Sequence, residues 1–256
     1  MKPQIVIFFV LGLFNSIRGQ DAVSPTPPIL DREAIGSVEF DTIFGKSRIG
    51  TGSFVTIKEA GRCYVLTVRH LLGPNVDFPY AVASQDVPNV VKGIRFYSFA
   101  GTDRYYAVTG LAFKSKGTLN DDPLFDLAAY AVQNPPLRTL TLANAPPASG
   151  ETVWIVAQVR GGVPKGEIAH SAKVLKSTDS WLHSIWDNDR IDSYGASGAP
   201  VLNAAGEIVG VDSGHSLWNG HKVAFIIPAS IILSAIKSSA QSFPNIPGNG
   251  NHAENR

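Results

Sequence analysis

Residues 194–202 are Tyr194-Gly195-Ala196-Ser197-Gly198-Ala199-Pro200-Val201-Leu202, a serine between two glycines directly before a short apolar run. Glycine lets a backbone turn tightly enough to point two N–H groups at one spot, where they stabilise the oxyanion formed when a serine attacks a carbonyl. The pattern Gly-x-Ser-Gly is weak evidence by itself, because chains rich in glycine and serine contain it by chance. Ser197 therefore needs support from groups elsewhere in the chain.

Two further segments carry the other groups of a nucleophilic triad. His70 ends an apolar, strand-like run, and Asp126 opens another. Because a serine hydroxyl is a poor nucleophile, a neutral imidazole must take its proton, and a buried carboxylate must orient that imidazole. The chain order His70, Asp126, Ser197 is one of the known orders of this triad. These three are the predicted catalytic residues, and Asp121 and Asp122 are alternatives for the acid.

Short apolar runs separated by turn residues fill most of the chain. The strand candidates are Ser53–Ile57, Cys63–Val68, Gly93–Ser98, Tyr105–Phe113, Leu127–Val132, Thr152–Val159, Glu167–Leu175, Ala199–Leu202, Ile208–Val211 and Lys222–Ile227. Regularly spaced short strands predict an all-β barrel or sandwich. One helix is predicted at the end, from Ala229 to Ala240, with Pro228 at its start.

The composition excludes several classes of protein. Of the 256 residues, 44% are hydrophobic and 17% are charged, so the chain has enough apolar material for a core and is not disordered throughout. The formal net charge of +1 gives no reason to expect a nucleic-acid partner. Cys63 is the single cysteine, and the histidines form no ligand pattern, so we expect no disulfide framework, no metal and no cofactor.

The N-terminus predicts export. Lys2 precedes ten apolar residues, Ile5–Phe14, and Gly19 offers a small residue for cleavage, which is typical of a signal peptide over residues 1–19. The apolar run is too short for a permanent membrane anchor, and an uncleaved anchor is the alternative. We expect a secreted protein, extracellular or periplasmic, without stable membrane insertion.

Composition also divides the rest of the chain. Prolines predict a flexible arm over residues 20–35 and a linker over 134–150, which separates two halves at 36–133 and 151–240. Residues 241–256 are rich in asparagine, glycine and proline and predict a disordered tail.

Taken in order, these segments resemble a chymotrypsin-fold (trypsin-like) serine protease, nearest in style to short bacterial-type and HtrA-like peptidases without a PDZ domain. The matching motifs, from about residue 48 to 238, are Gly50-Thr51-Gly52-Ser53-Phe54 for the opening Gly-Ser-Gly-Phe strand, Thr67-Val68-Arg69-His70 for Thr-Ala-Ala-His, Asp126-Leu127-Ala128 for Asp-Leu-Ala and Gly195-Ala196-Ser197-Gly198-Ala199-Pro200 for Gly-Asn-Ser-Gly-Gly-Pro. The resemblance implies two six-stranded antiparallel β-barrels, with the site in the cleft between them.

The resemblance also implies roles for single residues. His70 would be the general acid/base, Asp126 its orienting partner and Ser197 the nucleophile. The N–H groups of Gly195 and Ser197 would form the oxyanion hole. Ala196 replaces the aspartate that pairs with a newly cut N-terminus in trypsin-type zymogens, so we expect activity without such a cut.

The primary specificity pocket follows from the same resemblance. Its candidate residues are Ile191, Asp192, Ser193, Asp212, Ser213 and Gly214. A carboxylate of Asp192 or Asp212 in the pocket would favour lysine or arginine at P1, the substrate residue on the acyl side of the cleaved bond. If Asp192 turns outward and Ile191 lines the pocket, a small or apolar P1 residue is expected instead.

The sequence thus predicts a secreted serine endopeptidase whose substrate is a protein or peptide. A catalytically silent trypsin-like domain that binds a protein or peptide in the same cleft is the alternative. A lipase or esterase of the α/β-hydrolase type fits poorly, because Ala199 stands where its Gly-x-Ser-x-Gly motif needs glycine.

Overall fold

Two closed antiparallel β-barrels make up the fold. The computed structural model describes residues 25–73, 81–83, 85–111, 113 and 122–240. Within these residues each barrel has six strands, which confirms the predicted all-β class and the two six-stranded barrels. The predicted signal peptide and tail lie outside the described residues, as do residues 20–24 of the predicted arm.

The first barrel surrounds an aromatic interior. Its strands are β1 (Ile35–Thr42), β2 (Gly45–Ile57), β3 (Arg62–Val68), β4 (Val91–Ser98), β5 (Asp103–Gly110) and β6 (Leu127–Val132). They pair in the order β1-β2-β3-β6-β5-β4, and pairing of β1 with β4 closes the ring, which leaves no open strand edge. The Phe54 ring packs inside the barrel, and its centroid lies 4.5 Å from that of Phe96 and 4.9 Å from that of Tyr106. A short helix, α1 (Val87–Val90), leads into β4.

The second barrel repeats this design. Its strands are β7 (Thr152–Val156), β8 (Ala169–Ser177), β9 (Leu182–Trp186), β10 (Pro200–Leu202), β11 (Ile208–Trp218) and β12 (His221–Pro228). They pair in the order β10-β11-β12-β9-β8-β7, and β10 pairs with β7 to close the ring. The chain then enters α2 (Ala229–Ala240), which has the predicted bounds.

The segment between the barrels is hydrogen-bonded to both of them. The N–H of Leu140 donates to Phe54 O at 2.8 Å, and the Leu140 carbonyl accepts from Thr56 N at 3.1 Å, both on β2. Three residues later, Ala143 N donates to Ile208 O at 2.8 Å, at the start of β11. The linker is therefore hydrogen-bonded to one strand of each barrel and joins the two barrels.

Helix α2 crosses from the second barrel to the first. Ile232 and Ile236 are four residues apart, so they share one helix face. Both are fully buried in a core cluster that also contains Leu72 and Leu127 of the first barrel. No helix among the described residues has the length and apolar character needed to cross a lipid bilayer.

Candidate active site

The pairing of β3 with β6 sets His70 beside Asp126. Val68 pairs with Leu127 at the end of the ladder, so the turn after β3 lies next to the residue before β6. His70 Nδ1 lies 2.8 Å from Asp126 Oδ2, and the backbone N–H of His70 donates to Asp126 Oδ1 at 2.8 Å. Asp126 therefore orients both the ring and the main chain of His70.

A third donor reaches the same carboxylate from the second barrel. Ser213 Oγ, on β11, donates to Asp126 Oδ2 at 2.5 Å. Asp126 is 1% exposed, whereas the side chain of His70 is 40% exposed. Three donors compensate the burial of the charged carboxylate, while the imidazole remains accessible. Ser213, which the sequence assigned to the pocket, thus contacts the acid.

Arg69 anchors the turn that carries His70. Its backbone N–H donates to Asp126 O at 2.6 Å, and its guanidinium donates to the carbonyl oxygens of Phe125 and Val82 at 2.5 Å each. The guanidinium carbon also lies 4.1 Å from the Phe125 ring centroid. The motif Thr-Val-Arg-His shows this residue, but nothing in the sequence indicates what the guanidinium binds.

The two alternative acids differ from Asp126. Asp122 accepts a hydrogen bond from Leu124 N at 2.9 Å, so it caps the short 3-10 turn Pro123–Phe125 just before Asp126. Asp121 lies outside the described residues. Of the described candidates, Asp126 is the one in contact with His70.

The loop that carries Ser197 is bound to β2 of the first barrel. Thr51 N donates to Ser197 O at 2.9 Å, and Thr51 Oγ1 donates to Gly195 O at 2.8 Å. Thr67 Oγ1, on β3, donates to Thr51 O at 2.8 Å. The hydrogen bonds of Thr51 thus run from the serine loop to the strand that leads to His70.

Two glycines allow this close approach. A Cβ on Gly50 would lie 2.6 Å from Leu71 Cδ1 and 2.9 Å from Ser197 O. Only the backbone of Gly50 therefore fits between the serine loop and Leu71, the residue after His70. Gly198 has a φ of +85°, and a Cβ there would lie 2.2 Å from Thr51 O. A side chain at either position would push Ser197 away from the first barrel.

The N–H groups of Gly195 and Ser197 are available to a ligand. Gly195 adopts a φ of +99°, and the Ala196 N–H between the two donates to Ser193 O at 2.9 Å. In the described part of the chain, neither the Gly195 nor the Ser197 N–H donates to a protein acceptor. No hydrogen bond joins Ser197 Oγ to His70 within those residues, and such bonds often tighten only when substrate binds.

The predicted pocket residues before Ser197 point in different directions. Ile191 and Ser193 are buried, whereas Asp192 turns outward and accepts a hydrogen bond from Arg160 Nε at 2.5 Å. This bond is the main reason that the pKa of Asp192 lies below its ordinary value. Ser193 Oγ instead faces His215, 2.8 Å from Nε2.

Asp212, on β11, is a buried carboxyl group next to the site. It is 1% exposed, and neither oxygen has a hydrogen bond of normal geometry. Burial raises the pKa of Asp212 well above its ordinary value of 3.8, the Gly214 N–H lowers it in part, and the charge of Asp126 raises it further. Asp212 is therefore neutral over a wider pH range than an exposed aspartate and attracts a cationic substrate weakly.

His215 and Lys222 contact the pocket but were not predicted from the sequence. His215 follows Gly214 on β11, and Lys222 Nζ on β12 lies 3.4 Å from Ser193 Oγ. The sequence shows a hairpin around residues 219–220 but gives no register, and it is the register that sets which strand side chains reach the pocket.

Solved structures with the same fold are proteases. The active form of the Rv3671c protease from M. tuberculosis has 14% identity and a TM-score of 0.54, with 89% of this chain and 94% of that chain covered. The serine endoprotease from Yersinia pestis has 18% identity and a TM-score of 0.54, covering 82% of this chain and 64% of that one. The HtrA-type protease AlgW with a tripeptide has 16% identity and a TM-score of 0.53, covering 82% and 61%. The chain thus spans less than two thirds of the Yersinia and AlgW proteins.

Sequence comparison reaches the same group of proteins. No curated protein sequence matches the chain significantly. The family profile of the trypsin-like peptidase domain matches residues 50–211, more than half of the 256 residues. This match spans His70, Asp126 and Ser197. The chain belongs to the trypsin-like peptidase domain family.

Proposed function

We propose that this chain is a secreted serine endopeptidase that hydrolyses a protein or peptide through an acyl-Ser197 intermediate. The observation that carries the proposal is the pair of His70 and Asp126, joined at 2.8 Å, beside a serine loop with two available N–H groups. Membership of a peptidase family supports the reaction class. The tripeptide in the AlgW structure supports a peptide as the ligand.

Asp126 determines which nitrogen of His70 acts as the base. Because Nδ1 faces the carboxylate, it carries the proton of the neutral ring, which leaves Nε2 free to accept one. His70 takes the hydroxyl proton as Ser197 Oγ bonds to the substrate carbonyl carbon. His70 then gives that proton to the leaving amine as the C–N bond breaks.

The second half of the reaction uses the same groups. A water molecule gives a proton to His70 Nε2 and attacks the acyl carbon of the ester. The bond between that carbon and Ser197 Oγ then breaks, as His70 returns the proton to the serine oxygen. In both halves negative charge develops on the former carbonyl oxygen. The N–H groups of Gly195 and Ser197 would stabilise that charge, an effect of about 10²–10³ in rate for one donor.

Export is part of the proposal and has its own test. The apolar run at Ile5–Phe14 and the small residue Gly19 support cleavage by a signal peptidase. Mass spectrometry of the protein recovered from outside the cytoplasm is expected to find an N-terminus at Gln20. A protein that keeps residues 1–19 and stays with the membrane would favour the anchor.

A silent peptide-binding domain is the second candidate. The observation in its favour is that Ser197 Oγ has no hydrogen bond to His70 among the described residues. Cleavage of a peptide library by the mature chain, with Ser197→Ala as the control, separates the two candidates. Hydrolysis by the wild type alone supports the peptidase, and binding of peptides without hydrolysis by either protein supports the silent domain.

A further inference from the structure

Three polar side chains meet at the pocket wall, and we name them the pocket cluster: Ser193, His215 and Lys222. Ser193 Oγ lies 2.8 Å from His215 Nε2 and 3.0 Å from Nδ1. Lys222 Nζ lies 3.4 Å from the same oxygen and also donates to Ile191 O. Ser193 is only 4% exposed, whereas Lys222 is half-buried and His215 is exposed, so the cluster leads from a buried hydroxyl to the solvent.

The pocket cluster connects the two segments that lead to the catalytic groups. Ser193 O accepts from Ala196 N at 2.9 Å, directly before Ser197. His215 lies two residues after Ser213, which donates to Asp126. A side chain on the acyl side of a bond attacked by Ser197 would enter between these segments and meet the cluster.

The acidic side chains of this region act on Lys222 only from a distance, and its charge is one of the smaller causes that lower the pKa of Asp189 and of Asp192. Asp192 accepts a hydrogen bond from Arg160 Nε, and Asp189 Oδ2 lies 3.1 Å from His221 Nδ1. Among the described residues no carboxylate oxygen lies within 4.0 Å of Lys222 Nζ. The buried carboxyl of Asp212 has a raised pKa, so it is charged over a narrower pH range than an exposed aspartate. Lys222 is therefore the charged group of the pocket cluster, and it has no direct ion-pair partner among the described residues.

We propose that the pocket cluster binds a carboxylate, so that this peptidase prefers glutamate or aspartate at P1. The carboxylate would accept hydrogen bonds from the ammonium of Lys222, the hydroxyl of Ser193 and a ring N–H of His215. Lysine or arginine at P1 would face the Lys222 charge. This inference rests on the proposed function, and it replaces both a basic and an apolar P1 preference.

The first test needs no variant. Values of kcat/KM are measured for matched peptides that differ only in Glu, Gln, Leu or Lys at P1. A hydrogen bond between charged groups contributes enough that Glu should exceed its neutral isostere Gln by about 10- to 100-fold. Equal rates for Glu and Gln, or a preference for Leu or Lys, would overturn the proposal.

The second test changes the charge of the pocket. Lys222→Met is expected to lower the Glu-to-Gln ratio of kcat/KM by about 10-fold or more. Lys222→Glu is expected to move the preference toward Lys and Arg, a gain that a misfolded protein cannot show. Lys92→Met, at an exposed position on β4, is the matched control and should keep the wild-type ratio.

Failure of this inference can be told apart from failure of the proposed function. A fluorophosphonate reacts with an activated serine and has no P1 side chain. If it labels Ser197 while Glu is not preferred, the function stands and the P1 proposal is wrong. If it fails to label Ser197 in the folded protein, both are wrong.

Discussion

At the scale of single residues, Asp126 has the clearest role, because it accepts hydrogen bonds from both the ring and the main chain of His70. Asp126→Asn keeps the shape but favours the wrong tautomer of the imidazole, so kcat should fall by about 10⁴-fold. Asp122→Asn keeps a side-chain oxygen that can cap the turn and should change kcat by less than about 10-fold. Near-normal activity of Asp126→Asn, with loss in Asp122→Asn, would contradict this assignment.

Asp212 makes stability depend on pH. Its pKa is raised in the folded protein by burial, so between 3.8 and that raised value the folded state binds more protons than the unfolded state. The free energy of unfolding therefore falls as pH rises through this range. Asp212→Asn cannot ionise, and its Tm should decline less between pH 4 and pH 8 than that of the wild type. The exposed Asp187→Asn is the control, and a parallel decline in all three proteins would show that Asp212 is not the cause.

The catalytic candidates could be predicted from the sequence, but the residues that contact them could not. His70, Asp126 and Ser197 stand in local motifs, so their types and order are visible in the chain. The contact of Ser213 with Asp126 spans 87 residues, and the cluster of Lys222 with Ser193 spans 29. Contacts of this range depend on strand register and loop position, which local patterns do not specify.

At the scale of elements, the serine loop depends on a glycine that contacts β2. Gly198→Ala would add a Cβ 2.2 Å from Thr51 O at a φ of +85°. Gly150 is a matched control, since its φ is +83° and nothing lies within 4 Å of its Cβ. Gly150→Ala should cost about 1–2 kcal/mol from the left-handed backbone alone, and Gly198→Ala about 2 kcal/mol more from overpacking.

Chemical denaturation measures this difference, and kcat reports the position of the loop. Gly198→Ala should also lower kcat, because the loop must move away from the first barrel. Equal losses of stability in the two variants would mean that the loop does not need the close approach.

Strands β1 and β9 were not predicted from the sequence, because both contain polar residues. β1 places Glu39 and Asp41 on its more exposed face, and β9 contains His183 and Ser184 within five residues. Such short runs with polar residues resemble loops when they are considered without their neighbours. Pairing of β1 with both β2 and β4 supplies the hydrogen bonds that stabilise it as a strand.

At the scale of the whole molecule, α2 and the linker join the two barrels. Because Ile232 is fully buried in a cluster with first-barrel side chains, Ile232→Ala should lower the free energy of unfolding by about 2–5 kcal/mol. Calorimetry should show one transition that shifts as a whole. Ser234→Ala, at an exposed position of the same helix, is the control and should change the free energy of unfolding by less than about 0.5 kcal/mol. A second transition that stays at the wild-type temperature would show that the barrels unfold independently.

Activation should not require a cut before the first strand. Ala196 is fully buried and has no carboxylate to pair with a new amino terminus. A chain that begins at Gln20 is therefore expected to hydrolyse peptides as efficiently as one cut just before β1, near residue 34. A large gain of activity after such a cut would contradict this expectation.

The central claim is that Ser197 is a nucleophile activated by His70, and its most direct test is covalent labelling by a fluorophosphonate followed by mass spectrometry. We expect one adduct per chain, located on Ser197. The adduct should be lost in Ser197→Ala and should form far more slowly in His70→Ala, by about 10⁴-fold or more. Folded wild-type protein that stays unlabelled, or a His70→Ala variant that is labelled as fast as the wild type, would show that Ser197 is not activated by His70.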